Sequence, residues 1–307
     1  MRKLLPLMMV VITGCPSSGQ DANGTASAQV APPFSAESAF QHVRTQVAFG
    51  PRVSGMPGHA KQLQWMIEFL RTRADSITVQ NFTHTSSSTK KKLAMTNVIA
   101  HFNPLATDRV LLIAHWDTRP TADSESDEEN RQRPIDGAND GASGTAVLLE
   151  IANVMSRTKP RIGVDLLFVD GEDYGPSEPD MYLGAKYFAA NAGGYRPLYG
   201  VLIDMIGDRT PEFPVEDNSK RMAPEVVQRV WNIAEDLGFG RYFPRTNAGA
   251  ITDDHIALNQ AGIRTADIID CCDHPWHTLE DNLSNASSEG LGVVGAVLLE
   301  LIFREGS

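Results

Sequence analysis

Four short, almost unbroken apolar runs punctuate the chain, at 110–114, 164–169, 199–203 and 265–269. Each is followed at once by polar residues, as expected of central strands covered on both faces. Between and after them, 143–155, 184–190, 223–237 and 285–303 carry apolar residues at helical spacing. Nearer the start, Ser35 precedes Ala36-Glu37-Ser38-Ala39-Phe40, a capped helix start continued by Val43, Val47 and Ala48. The turn-rich GPRVSGMPG at 50–58 breaks that helix, 62–73 reads as another, and 77–82 and 95–102 are β-rich. No internal repeat is found. Alternating strands and helices predict one α/β three-layer sandwich with a mixed, mostly parallel central sheet flanked by helices. Ligands bind such sheets beyond the carboxyl ends of the strands, so the chemistry is expected there.

The first fifteen residues, MRKLLPLMMVVITGC, do not belong to that pattern. Arg2 and Lys3 precede an apolar stretch, 4–12, that is too short to span a bilayer. It closes on Ile12-Thr13-Gly14-Cys15, which resembles the bacterial lipoprotein cleavage box. The expectation is a lipoprotein signal peptide over 1–14 and a lipidated Cys15 as first mature residue. Residues 15–34 are small, polar and proline-bearing, and are expected to form a flexible tether ahead of a single domain at 35–307. The protein is then exported to the cell envelope and touches a membrane through its lipid anchor only.

Composition narrows the rest. With 42% apolar and 21% charged residues, the 307-residue chain is an ordinary globular protein. It has 27 basic and 38 acidic residues, a formal charge of −11 that becomes −13 once Arg2 and Lys3 are removed. Nothing in that balance favours nucleic acid. Three cysteines are too few for a disulfide scaffold, and the adjacent Cys271 and Cys272 are assigned no chemistry.

Acids and histidines stand where the strands are expected to end. His115-Trp116-Asp117 follows the first run, Asp170-Gly171-Glu172-Asp173 the second and Asp204 the third. Asp140 opens a helix, and Asp253-Asp254-His255 and Trp276-His277 come later. Taken singly, each has a plain structural reading. Asp140 suits a helix cap, Glu172-Asp173 a solvated turn, and His277 a packed core histidine. Together, at one sheet edge, they repel one another strongly unless a cation is present, and carboxylate with imidazole is a zinc ligand set. The acidic stretch 123–129, followed by Arg131 and Arg133, reads as a solvated loop, with a rim selecting basic substrates as the functional alternative. Residues 210–222 read as a loop near the pocket mouth, with Phe213 packing in it.

HWDTRPTAD, DGANDGASGTAVLLEIA, FVDGEDYG, YLGAKYFA, LIDMIGD, DDHIAL and HPWHTLED, in this order, resemble the zinc-dependent peptidase M28 superfamily. Within it they are most similar to glutaminyl-peptide cyclotransferases of the bacterial kind. The resemblance covers roughly 35–304 and implies a zinc-exopeptidase-like fold. It implies that Asp140, Asp173 and His277 bind one zinc ion, with Glu172 as general acid/base. It makes Asp204 and Asp253 a hydrogen-bonded acidic network, Trp276 a pocket wall, and Asp117 a support that orients the ligands. In the dinuclear aminopeptidase relatives, Asp140 bridges to a second zinc completed by His115 and Asp204. One departure is Asp173, where the animal cyclases carry Glu. The implied activity is conversion of N-terminal glutamine of peptides or proteins to pyroglutamate with release of ammonia. The alternatives are M28-type aminopeptidase hydrolysis and, in another class, a ligand-binding lipoprotein without turnover, against which Glu172 stands.

Overall fold

Ser35 caps the first helix as its position predicts, its hydroxyl accepting the Ser38 N–H at 3.2 Å. The computed structural model describes residues 29–270 and 275–305. After α1 (Ala36–Ala48) come α2 (Pro57–Arg71), β1 (Ser76–Thr85), β2 (Lys92–Phe102) and β3 (Arg109–His115). Then follow α3 (Ala142–Arg157), β4 (Gly163–Val169), α4 (Leu183–Asn191) and β5 (Tyr199–Asp204). The chain closes with α5 (Asp217–Met222), α6 (Pro224–Asp236), α7 (Asp254–Gln260), β6 (Thr265–Ile269) and α8 (Ser288–Glu305).

Each expected strand forms. Helix α2 begins at Pro57 rather than residue 62, because proline's fixed φ suits the first helical turn. Two helices were not expected. Helix α5 falls within the stretch read as a loop, and α7 follows Asp253; both are too short to show a period. Ala31 and Phe34, inside the stretch expected to be a tether, pack against the core, Phe34 lying over Gly295 of α8. Ordered packing therefore begins before residue 35. The expected signal peptide, Cys15, Cys271 and Cys272 lie outside the described residues.

The sheet order is β1-β2-β4-β3-β5-β6. Strands β4, β3, β5 and β6 pair in parallel, and β2 is antiparallel to both β1 and β4. Alternate side chains of β3 point to opposite faces. Val110, Leu112 and Ala114 join the larger core with α1, α3, α6 and α8, whereas Leu111 and Ile113 meet Phe188 of α4 and Leu258 of α7. That gives the three layers. From β3 the chain steps through α3 to β4 on one side, then through α4 to β5 on the other. The carboxyl end of β3 is thus where the connections diverge, the place such sheets leave open for a ligand.

Candidate metal centre and active site

His115 is the last residue of β3, and the chain turns through buried Trp116, whose indole donates to the Thr96 carbonyl at 3.1 Å. Asp117 follows. Its carboxylate accepts the backbone N–H groups of Glu172 and Asp173 at 3.2 and 3.3 Å, fixing the loop after β4. Asp140 arrives just before α3. Gly141 has φ +93°, and a Cβ there would stand 2.3 Å from the Asp117 carbonyl and 3.0 Å from the His115 ring. Only glycine lets α3 start so close to the end of β3. Asp140 does not cap this helix: the N-cap residue is Gly141, with no side-chain cap bond. Its backbone is instead gripped by Asp281, whose carboxylate accepts the N–H of Asn139 at 2.7 Å and of Asp140 at 3.1 Å.

These loops gather two sets of potential ligands among the described residues, Asp140–Asp173–His277 and His115–Asp140–Asp204, all buried. In the first, His277 Nε2 lies 3.1 Å from Asp173 Oδ1 and 3.6 Å from Asp140 Oδ2. In the second, His115 Nε2 lies 3.1 Å from Asp140 and is hydrogen-bonded to Asp204 at 3.0 Å. His115 Nδ1 is 3.6 Å from Asp117 and 3.7 Å from Glu172. Burial opposes a charged His115 ring, yet Asp204, Asp117 and Asp140 outweigh it and raise its pKa well above 6.5. Burial likewise pushes the Glu172 carboxyl well above its ordinary value; His115 opposes this, and Asp173, Asp253 and Asp254 add to it. Burial beside Asp204 lifts Asp253 to about 7. The site is an acidic pocket short of positive charge, and Asp173 Oδ2 is buried in it without a hydrogen-bond partner.

A cleft of about 290 Å³ opens over the first set, lined by Asp140, Glu172, Asp173 and His277 with Met181, Tyr182, Asp204, Met205, Ile251, Asp253 and Trp276 among others. His115 is not on its wall. Trp276 stands at the rim, 49% exposed, its ring stacked on His277 at 3.6 Å. Tyr182, Met205 and His277 all have positive φ, at 59°, 49° and 55°. Strained backbone at bulky residues persists where the surroundings over-determine it, and here it concentrates around one cleft.

A sequence profile of peptidase family M28 matches residues 97–302, more than half of the chain. The chain belongs to peptidase family M28. It is 27% identical over 290 residues to the glutaminyl-peptide cyclotransferase of Bothrops jararaca, covering 80% of this chain and 75% of that protein. It superposes on the glutaminyl cyclase of Bacteroides thetaiotaomicron bound to N-acetylhistamine with TM-score 0.87 and 36% identity, over 90% of this chain and 99% of that one. A zinc-dependent exopeptidase from Parabacteroides distasonis superposes with the same TM-score at 37% identity, covering 90% of this chain and 100% of that one. The M28 chain's own donors fit zinc: two carboxylates and one imidazole converge, and a buried carboxylate oxygen is left over for a cation.

The structure brings Asp117, Asp140, Glu172, Asp173, Asp204, Asp253, Trp276 and His277 together at one cleft or directly behind it, with His115 beneath. The plain reading of Asp140 gives way to Gly141 at the cap position, and that of Glu172-Asp173 gives way because both are buried. His277 is buried as a packed histidine would be, but its Nε2 meets Asp140 and Asp173 and it lines the cleft. Phe213 is buried in the core against Phe243, a packing residue. The stretch 123–129 is more than a solvated loop. Asp123 pairs with Arg119, Ser124 N–H donates to the His277 carbonyl at 3.1 Å, and Glu125 accepts the Leu279 N–H at 2.9 Å. It therefore clamps the segment that carries His277. Sequence reasoning missed Arg119, whose guanidinium reaches Asp173 at 2.5 Å and Asp123 at 2.8 Å. Its spacing from Asp123, four residues, was the available signal. Asp281 and Tyr182 were also missed; they stand in the motifs without any local pattern to mark them.

Proposed function

We propose that this M28 enzyme is a zinc-dependent glutaminyl-peptide cyclotransferase. The observation that carries the reading is the inequality of the two ligand sets. All three members of Asp140–Asp173–His277 line the cleft, whereas His115 lies off its wall. A one-metal site suffices for cyclisation, because the nucleophile is the substrate's own α-amine and no water has to be activated. Aminopeptidase hydrolysis, which is served well by two metals, is the second reading; His115 and Asp204 beside Asp140 are what favour it.

Asp140, Asp173 and His277 would hold the zinc ion, which would supply Lewis-acid polarisation of the glutamine γ-carbonyl. The chain's residues do the rest. Trp276 and the apolar side chains among the lining residues, Met181, Met205 and Ile251, confine a single side chain and bring the α-amine against its own amide carbon. Glu172, kept basic enough by burial and neighbouring acids, takes a proton from the amine as the C–N bond forms. It returns that proton to the leaving nitrogen as the amide C–N bond breaks, releasing ammonia and the five-membered lactam. Burial sets the raised proton affinity of Glu172 and Asp253 adds to it, while Asp204 stands on the same cleft wall. The substrates on this reading are peptide or protein N-termini.

The test is zinc content and turnover of the native protein and of Glu172→Gln. Retained zinc with ammonia release from a glutaminyl peptide reduced by at least about a hundredfold is expected. Free leucine from a leucyl amide, with no ammonia from the glutaminyl peptide, overturns cyclisation in favour of hydrolysis. No turnover of either substrate by the zinc-loaded native protein favours a binding role. We also propose that 1–14 is a lipoprotein signal peptide and that Cys15 anchors the enzyme in the cell envelope. The support is the charged start, the short apolar stretch and Ile12-Thr13-Gly14-Cys15. Fatty-acid labelling that survives Cys15→Ser rejects it.

A further inference from the structure

Tyr182 is the last residue before α4 and is unusual on three counts. It is a bulky aromatic with φ 59° and ψ 30°, a left-handed conformation that aromatic side chains rarely adopt. Its ring lines the cleft. Its two polar ends bond to the two loops that carry acids of the site. The backbone N–H donates to the Glu172 carbonyl at 2.8 Å, and the hydroxyl donates to the Thr252 carbonyl at 2.7 Å. Thr252 immediately precedes Asp253.

The ring is held from outside as well. The Lys186 ammonium lies 5.4 Å from its centroid and donates to the carbonyls of Met181 and Glu178, the Met181 bond being 2.9 Å. The 246–253 segment is pinned from its other side: Asn218 donates to the Ile251 carbonyl at 2.6 Å, and the Asp217 N–H to Gly249 at 2.8 Å. Burial and the surrounding Glu172, Asp253 and Asp254 push the Tyr182 hydroxyl pKa up, so it stays a donor at working pH and serves as neither acid nor base.

We infer that Tyr182 is a positioning residue, a strut that holds the Asp253 loop at a set separation from the Glu172 loop and so fixes how wide a side chain the cleft accepts. The backbone strain has a reason on this account: with the left-handed turn at 182, one residue bonds both the Glu172 carbonyl and the Thr252 carbonyl. Thr252 is engaged through its carbonyl, so the strut acts whatever side chain stands at 252. The inference rests on the cyclisation reading for its substrate, and on the geometry alone for the loop contact.

Tyr182→Phe keeps the ring and removes the hydroxyl. The first readout is hydrogen–deuterium exchange, which needs no substrate: backbone protection over 249–253 is expected to fall while that of the central strands stays as in the native protein. The second is kinetic. With a glutaminyl peptide, kcat/KM is expected to fall about fivefold, the loss carried by KM rather than kcat, as for removal of one neutral hydrogen bond that shapes the binding site. Preference for glutamine over its γ-N-methylamide narrows by a similar factor, whereas Tyr182→Ala abolishes it. A thermal midpoint within about 2 °C of the native protein separates this from general loosening. Native exchange over 249–253 in Tyr182→Phe, or native KM and discrimination with turnover intact, overturns the strut. Absence of ammonia release from the native enzyme overturns cyclisation instead and leaves the exchange result to decide the strut.

Discussion

Asp281 makes the most quantitative prediction. Its two carboxylate oxygens accept the N–H groups of Asn139 and Asp140 at 2.7 and 3.1 Å, and it is only 4% exposed. Asp281→Asn preserves the shape but offers one acceptor and one NH₂ group. One of the two buried N–H groups then loses a charge-assisted acceptor and faces a donor. Burial and the nearby Asp140 lift the Asp281 carboxyl to about 7, so the comparison is made at about pH 8.5, where it is charged. There a hydrogen bond to a charged group contributes about 1.5–3 kcal/mol, and a stranded buried donor costs about 1–3 kcal/mol. Those two numbers describe overlapping losses, so the expected destabilisation is about 3 kcal/mol, or roughly a 5 °C lower thermal midpoint in a domain of this size. Because Asp140 is the carboxylate common to both ligand sets, moving its backbone also moves a ligand. Outer supports of this kind typically change metal affinity about 10–100-fold. Thermal unfolding of the metal-free protein measures the first effect, and zinc competition with a chromophoric chelator measures the second. A variant that melts with the native protein and holds zinc equally well would falsify the claim that this carboxylate sets the position of Asp140.

Two further outcomes follow from buried ion pairs. Arg119 bonds Asp173 on one side and Asp123 on the other, so Arg119→Gln frees a proposed ligand and the clamp over His277 together; kcat/KM is expected to drop at least about tenfold with weaker zinc retention, and native zinc affinity in the variant argues against the role. Asp165 in β4 is buried, which by itself raises a carboxyl pKa, but hydrogen bonds from His101, Arg109 and Tyr195 outweigh this and lower it from 3.8 to about 2. A pKa depressed by folding adds stability above the unfolded value near 4 and loses it as pH falls towards 2, about 2 kcal/mol in all. The unfolding free energies of the native protein and Asp165→Asn should therefore converge between pH 5 and 2; a gap that stays constant over that range sinks the assignment.

The strands and the longer helices were legible in the chain because their signal is local. A buried parallel strand has to be apolar throughout, as 164–169 is, and a long helix such as α3 repeats its apolar positions often enough to be seen. Helices α5 and α7 span 6 and 7 residues, less than two turns or barely that, and left no period to read. The acids and histidines at the strand ends were visible as residues, and the motifs told which chemistry to expect. What the sequence could not determine was which of them are free to act. Asp140 looks like a helix cap until the fold shows Gly141 in that place and Asp281, 141 residues away, gripping its backbone. Asp123 looks solvated until Arg119 ties it to Asp173. Tyr182 is one tyrosine among several until its hydroxyl is found on a carbonyl 70 residues downstream. Periodicity and residue type are written along the chain and fix the elements and the kind of site. Which ligand atoms remain unpaired, which histidine faces the cleft and which acid is lifted by burial depend on contacts between distant segments, and only the packed sheet with its converging loops decides those.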